Sequence, residues 1–122
     1  MPTRKPKDPA ALLPLKHSIF RVLLAMPDRE SMHGYAIMQA VSEMTQGRDT
    51  ILPGTLYVAL ARMVDEGLVE ALDTPDDDAS GGPARSYYRR TSFGRAVARA
   101  ESERLRALLD IAVSQKIIGH RK

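Results

Sequence analysis

The sequence contains no cysteine and no tryptophan, and only two phenylalanines occur among its 122 residues. Without cysteine, the chain has no disulfides, no thiolate metal sites and no cysteine nucleophile. No apolar run follows the basic N-terminus, and no uncharged stretch is long enough to span a bilayer. We therefore expect a soluble, cytoplasmic protein without a membrane partner.

Residue patterns that are typical of enzymes are also missing. The three histidines, His17, His33 and His120, lie on separate segments, without the spacing of metal ligands on one helix. The sequence has no Gly-rich phosphate loop and no nucleophile elbow. We therefore expect no catalysis, no metal site and no cofactor.

Charge is distributed unevenly along the chain, although the net charge is only +3. Residues 1–72 carry eight basic and eight acidic side chains, and residues 73–84 carry four acidic ones and no basic one. Residues 85–122 carry ten basic and three acidic side chains, a balance of +7. This asymmetry suggests a polyanionic partner, with a solvated helix as the alternative.

The apolar residues, 43% of the chain, are enough for one core, and their spacing predicts helices at the start of the domain. Residues 1–10, with three prolines and three Lys or Arg, indicate a disordered N-terminal arm. A first helix is expected over residues 12–26. A second helix follows Ser31 as its cap, and Gly34 near its start permits the close approach of another backbone.

Residues 51–70 (ILPGTLYVALARMVDEGLVE) predict a third helix with two different faces. Pro53 suits the first turn of this helix, and Gly67 ends it. One face carries the apolar positions Leu56, Leu60 and Met63. The opposite face carries Thr55, Val58, Ala59 and Arg62, and is left over after packing, as a recognition helix requires; an ordinary surface helix is the alternative.

The remaining residues complete a winged helix-turn-helix domain over residues 11–91. LVEAL (68–72) and RSYYRRT (85–91) predict a two-stranded hairpin, the wing, so the fold class is mainly α with a small β-hairpin. Residues 92–122 predict a long C-terminal helix. It carries an apolar stripe for a second copy of the chain: Ala98, Leu105, Leu108, Leu109 and Ala112. The alternative is that this helix folds back on its own domain.

Three blocks of this sequence resemble PadR-family transcriptional regulators: HGYAIMQAV (33–41), PGTLYVALARMVDEGLVE (53–70) and RSYYRRTSFGRAV (85–97). The resemblance implies a DNA-binding regulator, most often a repressor, that binds a palindromic operator as a homodimer through its C-terminal helix. Relatives also respond to small aromatic or multidrug ligands, so a small-molecule effector stays open. A winged-helix module for protein–protein contact, without DNA binding, is the alternative function.

The resemblance and the chemistry of the side chains together give a set of expected DNA contacts: Tyr35, Pro53, Gly54, Thr55, Tyr57, Val58, Arg62 and Arg85. Gly54 and Thr55 would bind a phosphate at the helix N-terminus, and Arg62 would pair with guanine. Tyr35 and Tyr57 would contact the DNA backbone, or else pack at the edge of the core. An ion pair with Glu66 is the alternative for Arg62.

The predicted wing carries Asp76, Asp77 and Asp78, which DNA should repel. Wings that enter the minor groove usually present Lys or Arg, because a narrow groove concentrates negative potential. We therefore expect the tip of the wing to stay off the duplex and Arg85 to reach a flanking phosphate. The alternative is that Arg85 neutralises these aspartates.

Overall fold

The computed structural model describes residues 8–72 and 86–120. Within these residues the chain forms a 3-10 helix, four α-helices and three short strands. Their bounds, in chain order, are Pro9–Leu12 (3-10), α1 His17–Ala25, β1 Met32–His33, α2 Gly34–Met44, α3 Pro53–Asp65, β2 Val69–Leu72, β3 Tyr87–Arg90 and α4 Ser92–Ser114. None of these helices is both long enough and apolar enough to cross a membrane.

The first helix begins later than the sequence pattern predicts. We expected a helix over residues 12–26, but Pro14 falls inside that range, and a proline in a helix interior removes a hydrogen bond and clashes with the preceding turn. The helix α1 therefore begins at His17, while Leu12, Leu13 and Leu15 pack against the core from the segment before it. Pro9 and Ala10, which we assigned to the N-terminal arm, belong to the 3-10 helix.

The sheet contains one strand more than the predicted hairpin. Strands β2 and β3 pair antiparallel as expected, and β1 pairs with the other edge of β3, giving the order β1-β3-β2. The two residues of β1 are too few to show the alternation that marks a strand in a sequence. The second of them, His33, caps α2 in place of Ser31, which we expected there. Its ring Nδ1 accepts the capping hydrogen bond from Ala36 N at 3.3 Å.

One core joins the helices to the sheet. Its fully buried side chains come from every helix from α1 to α4 and from the end of α3 into β2: Val22, Leu23, Ile37, Val41, Leu56, Leu60, Met63, Leu68 and Val97. Truncation of such a residue typically costs about 2–5 kcal/mol. This core fixes the orientation of α3, the helix on which six of the eight expected DNA contacts lie.

The start of α4 is fastened to the end of α3 by a cap and a glycine. Thr91 Oγ1 accepts a hydrogen bond from Gly94 N at 2.9 Å and donates one to the carbonyl of Gly67 at 2.6 Å. A Cβ at Gly94 would come within 2.9 Å of the carbonyl carbon of Leu68. Only glycine therefore allows the first turn of α4 to approach the backbone at the start of β2.

Candidate nucleic-acid interface

Helix α3 has one face in the core and one face in solvent. The inward face is fully buried, at Leu56, Leu60 and Met63. On the outward face Thr55 is exposed, Val58 is 74% exposed and the Arg62 side chain is 53% exposed. Ala59, which we expected on this outward face, is only 5% exposed and belongs to the core, because it lies at the boundary between the two faces.

The turn before α3 is held by the C-cap residue of α2 and by a side chain of α1. Thr45 Oγ1, just after α2, accepts a hydrogen bond from Asp49 N at 2.9 Å, and Gly47 adopts a positive φ of 79° where the chain leaves α2. From α1, Arg21 Nη1 donates to the carbonyl of Thr50 at 3.0 Å. Pro53 then occupies the first helical position, as predicted. The N-terminus of α3 is thus placed by contacts with both α1 and α2.

A groove runs between the N-terminus of α1 and the outward face of α3. Its lining contains two cationic side chains and no carboxylate: Lys16, Ser18, Ile19, Gly54, Thr55, Val58, Ala59 and Arg62. Lys16 and Ser18 are not among the expected DNA contacts. Nothing in their local pattern could show this, because only the packing of α1 against α3 brings them beside residues almost 40 positions away.

The side chain of Tyr57 brings the PGTLY segment into contact with the HGY segment of α2. Its ring lies against Gly34, where a Cβ would come within 2.8 Å of Tyr57 Cζ. We expected Gly34 to admit another backbone, but the group that it admits is this side chain. Tyr57 is 49% exposed, and its hydroxyl makes no hydrogen bond with residues 8–72 or 86–120. It therefore packs at the edge of the core, and its phenol proton has no acceptor among these residues.

Tyr35 lies on the first turn of α2 and is 60% exposed. Its hydroxyl accepts a hydrogen bond from Gln39 Nε2 at 3.2 Å, and its ring stacks with that of His33 at a centroid separation of 6.4 Å. The phenol proton is still available for donation to an acceptor such as a phosphate oxygen. Gln39, like Lys16 and Ser18, is not among the expected DNA contacts.

Arg62 forms an ion pair with Glu66 one turn further along α3. Its Nε donates to Glu66 Oε2 at 3.3 Å, and Glu66 is the less exposed partner at 21%. The ion pair that we gave as the alternative for Arg62 is therefore present in the free protein. Because the bond uses Nε, the two terminal nitrogens of the guanidinium keep their donors for a further partner.

The strand β3 carries a second group of arginines. Arg89 pairs across the sheet with Glu70 at 3.2 Å, and Arg90 donates to the carbonyl of Leu23 at 2.8 Å and to Asp28. Arg95 also binds Asp28, at 2.8 Å. Hydrogen bonds and charge from Arg90, and then from Arg95, lower the pKa of Asp28 below its ordinary value. These arginines support the fold, while Arg85 and the acidic run 76–78 lie outside the described residues.

Helix α4 divides into a half that packs and a half that projects. Ala98, which we expected in the stripe for a second copy, is 7% exposed and lies in the core of its own domain, because the first turns of α4 pack on α1 and the 3-10 helix. Leu105 and Ala112 are half-buried, whereas Leu108 and Leu109 are 51% and 56% exposed. Ile111, which we did not predict, is 56% exposed. The second half of α4 is therefore not covered by its own domain.

The described residues contain no group of three or more His, Asp or Glu side chains placed to hold a metal ion. They contain a helix-turn-helix, formed by α2 and α3, and a three-stranded antiparallel sheet. The second helix of the pair, α3, has one face exposed to solvent. That combination defines a winged-helix protein.

Comparison with known families shows which family of winged-helix proteins the chain belongs to. Residues 22–100 match the transcriptional regulator PadR-like family, and this stretch is more than half of the chain. The chain therefore belongs to the PadR-like family of transcriptional regulators, which confirms the resemblance drawn from the three sequence blocks.

Individual proteins are also similar to this chain. An uncharacterised protein from Lysinibacillus sphaericus is 33% identical over 75 residues, which are 62% of this chain and 66%, just under two thirds, of that protein. A PadR family regulator from Eggerthella lenta is 25% identical with a TM-score of 0.64, over 91% of this chain and 92% of its own. Bacillus subtilis PadR, solved in complex with operator DNA, is 17% identical with a TM-score of 0.58, over 75% and 48%. These structures confirm the predicted winged-helix fold.

Proposed function

We propose that this PadR-like regulator binds double-stranded DNA sequence-specifically, as a homodimer, through the outward face of α3. The observation that carries the proposal is the contrast between the two faces of this helix. Leu56 and Leu60 are fully buried and fix the helix, whereas Val58 is 74% exposed. An α-helix of about 10–12 Å diameter fits the major groove of B-DNA, which is about 12 Å wide.

The residues around this face have separate roles in the proposed complex. Gly54 and Thr55 offer backbone N–H groups and a hydroxyl to a phosphate at the N-terminus of α3, where Pro53 sets the helix entry. Tyr35 and Tyr57 donate their hydroxyls to the DNA backbone, and Arg62 pairs with a guanine. Arg85 remains the proposed contact from the wing. Support comes from Bacillus subtilis PadR, which shares the fold and was solved with its operator.

The proposed dimer is supported by the exposed apolar residues of α4. The helix has 23 residues and extends over about 34 Å at 1.5 Å per residue, so its second half projects beyond the domain. Leu108, Leu109 and Ile111 remain exposed there, and a second copy of the same helix covers them by symmetry. Two α3 helices would then enter successive major grooves of a palindromic operator, about 34–36 Å apart.

Light scattering on the full chain tests the dimer. We expect twice the chain mass of 13.5 kDa for the wild type at micromolar concentration. The double variant Leu108→Ser, Leu109→Ser should be a folded monomer, because both positions are exposed in the single chain. Leu24→Ser, at a 47% exposed position of α1, is the control that should stay dimeric. A monomeric wild type would contradict the proposal.

Fluorescence anisotropy with operator and scrambled duplexes tests DNA binding. We expect Arg62→Ala to lower the preference for operator by on the order of 1–3 kcal/mol, and Tyr57→Phe to weaken binding to both duplexes alike. Affinity should fall steeply as the salt concentration rises, because basic side chains of the protein release counterions from the phosphates when they bind. If no duplex binds in this way, a module for protein–protein contact becomes the better description.

Two further properties follow from the resemblance to the family and complete the proposal. We propose that the bound dimer represses transcription, which a reporter gene with the operator at its promoter would show as higher expression after deletion of the regulator. A small-molecule effector would act on the same dimer. Its signature is loss of operator binding by the purified protein when the compound is added, with no loss of the folded state.

A further inference from the structure

Val58 is the most exposed large apolar side chain on any helix of the described residues, at 74%. Its position gains nothing for the fold, because the side chain buries little surface there. Valine is also a weaker helix former than alanine, since its branched Cβ loses rotamer freedom against the preceding turn. An exposed valine in the middle of α3 is therefore free to contact a group outside this domain.

The surroundings of Val58 define the shape and charge of that external group. At Gly54, one turn before it, no atom outside the neighbouring residues and backbone of α3 lies within 4 Å of the position that a Cβ would occupy. Thr55 is also small, so a flat partner can approach closely. Lys16 and Arg62 line the same groove, on α1 and on the next turn of α3. The group that fits is a small apolar one, presented by a polyanion.

We infer that Val58 contacts the C5-methyl group of a thymine in the major groove of the operator. Thymine is the base that presents a methyl group there, and apolar side chains recognise it. This inference rests on the proposed DNA binding and makes it more specific. Val58 and Arg62 are four residues apart, about 6 Å along the helix axis, so a helix lying in the major groove holds them over the same short stretch of base pairs. Each half-site should therefore contain the recognised thymine within about three base pairs of the guanine that Arg62 reads.

Deoxyuridine substitution tests this contact, because uracil differs from thymine only by the missing methyl group. The probe is the duplex that the full-length protein selects from a random library, with each thymine replaced in turn. For the wild type, we expect one position per half-site where the change weakens binding by roughly three- to fivefold, the scale of one buried methyl group. Val58→Ala should bind the unmodified duplex more weakly by a similar factor, and should show no further loss at that position.

A matched variant separates this effect from a general loss of apolar surface. Leu52 is 70% exposed and precedes Pro53 at the start of α3, so Leu52→Ala should keep the full deoxyuridine penalty. Thermal unfolding should show that Val58→Ala is as stable as the wild type, or slightly more stable.

Two negative results have different meanings. An equal deoxyuridine penalty in the wild type and in Val58→Ala at every position would overturn the assignment of Val58 while leaving DNA binding intact. Failure to select any duplex would overturn the proposed function and this inference with it, and would leave Val58 as a contact for a protein partner.

Discussion

The ring of Tyr57 lies so close to Gly34 that a Cβ on this glycine would come within 2.8 Å of the ring carbon Cζ. The glycine begins α2 and the tyrosine lies in the second turn of α3, so the contact sets the two helices of the helix-turn-helix against each other. It also fixes where the Tyr57 hydroxyl is presented. The HGY and PGTLY segments of the sequence are thus parts of one structural unit.

Gly34→Ala should displace the Tyr57 ring without unfolding the protein. The ring is 49% exposed and can swing outward, so we expect a loss of about 1 kcal/mol or less in the free energy of unfolding, below the usual cost of overpacking. Operator affinity should fall about as much as in Tyr57→Ala, and the double variant should lose little more than either single one. Additive losses in this double-mutant cycle, measured by anisotropy, would show that the contact does not position the hydroxyl.

Gly94→Ala should be far more damaging, because the group that it meets cannot move aside. The added Cβ would lie within 2.9 Å of the Leu68 carbonyl carbon, which belongs to the backbone entering β2. We expect a loss of about 1–3 kcal/mol or more in urea unfolding. Gly54→Ala is the matched control, since nothing lies within 4 Å of its Cβ position, and alanine there should be neutral or slightly stabilising. Equal stability of the two variants would contradict this packing.

Glu101 should make stability depend on pH. Its side chain is 3% exposed and accepts hydrogen bonds from Arg104 Nε at 2.6 Å and from Leu15 N at 3.2 Å. The hydrogen bonds from Arg104 and Leu15 hold the pKa of this carboxyl below its ordinary value of 4.5, although burial opposes them. The resulting stabilisation is fully present above pH 4.5 and is lost as pH falls through the lower pKa of the folded state.

Glu101→Gln should therefore be less stable than the wild type at pH 7, by about 1–2 kcal/mol, since Arg104 is 37% exposed and water weakens the pair. The difference in the free energy of unfolding between the two proteins should become smaller when urea unfolding is repeated below about pH 4. Glu103→Gln, at an exposed position of the same helix, should show neither effect. A gap that stays constant with pH would mean that the charge on Glu101 contributes nothing.

Glu66 should influence which sequences are bound and not only how tightly. It holds Arg62 Nε at 3.3 Å and leaves the terminal nitrogens available for a base. Glu66→Ala removes a negative charge near DNA, so affinity for scrambled duplexes should rise, while the preference for operator should fall because the guanidinium loses its support. Glu70→Ala, which releases Arg89 on the sheet, is the control that should leave the preference unchanged. An unchanged preference in Glu66→Ala would mean that the pair is only a surface ion pair.

Much of this fold could be predicted from the spacing of apolar residues and from the prolines and glycines that begin or end helices. The spacing of Leu56, Leu60 and Met63 predicts the buried face of α3, and Pro53 and Gly67, which has a φ of 80°, mark its ends. Strand β1 and the late start of α1 could not be predicted in this way. A two-residue strand has no visible period, and the helical spacing of Leu12 and Leu15 continues across Pro14 although the helix does not.

The candidate site shows the same limit. The exposure of Thr55, Val58 and Arg62 follows from the sequence of α3 itself, whereas Ala59 is buried and the groove beside them needs Lys16 from another helix. Ala98 and Leu108 lie on one predicted stripe, yet Ala98 is buried and Leu108 is not, because the domain covers only the first half of α4. Which part of a helix is covered depends on where the other elements end, and local pattern does not contain that information.

Selection of duplexes from a random library by the purified full-length protein tests the central claim most directly. We expect enrichment of a palindrome whose half-site centres are about 10 base pairs apart, with a guanine and a nearby thymine in each half. Arg62→Ala should lose the requirement for that guanine. Enrichment of no sequence over the starting library, from protein that is folded and dimeric, would contradict the claim that the outward face of α3 reads DNA.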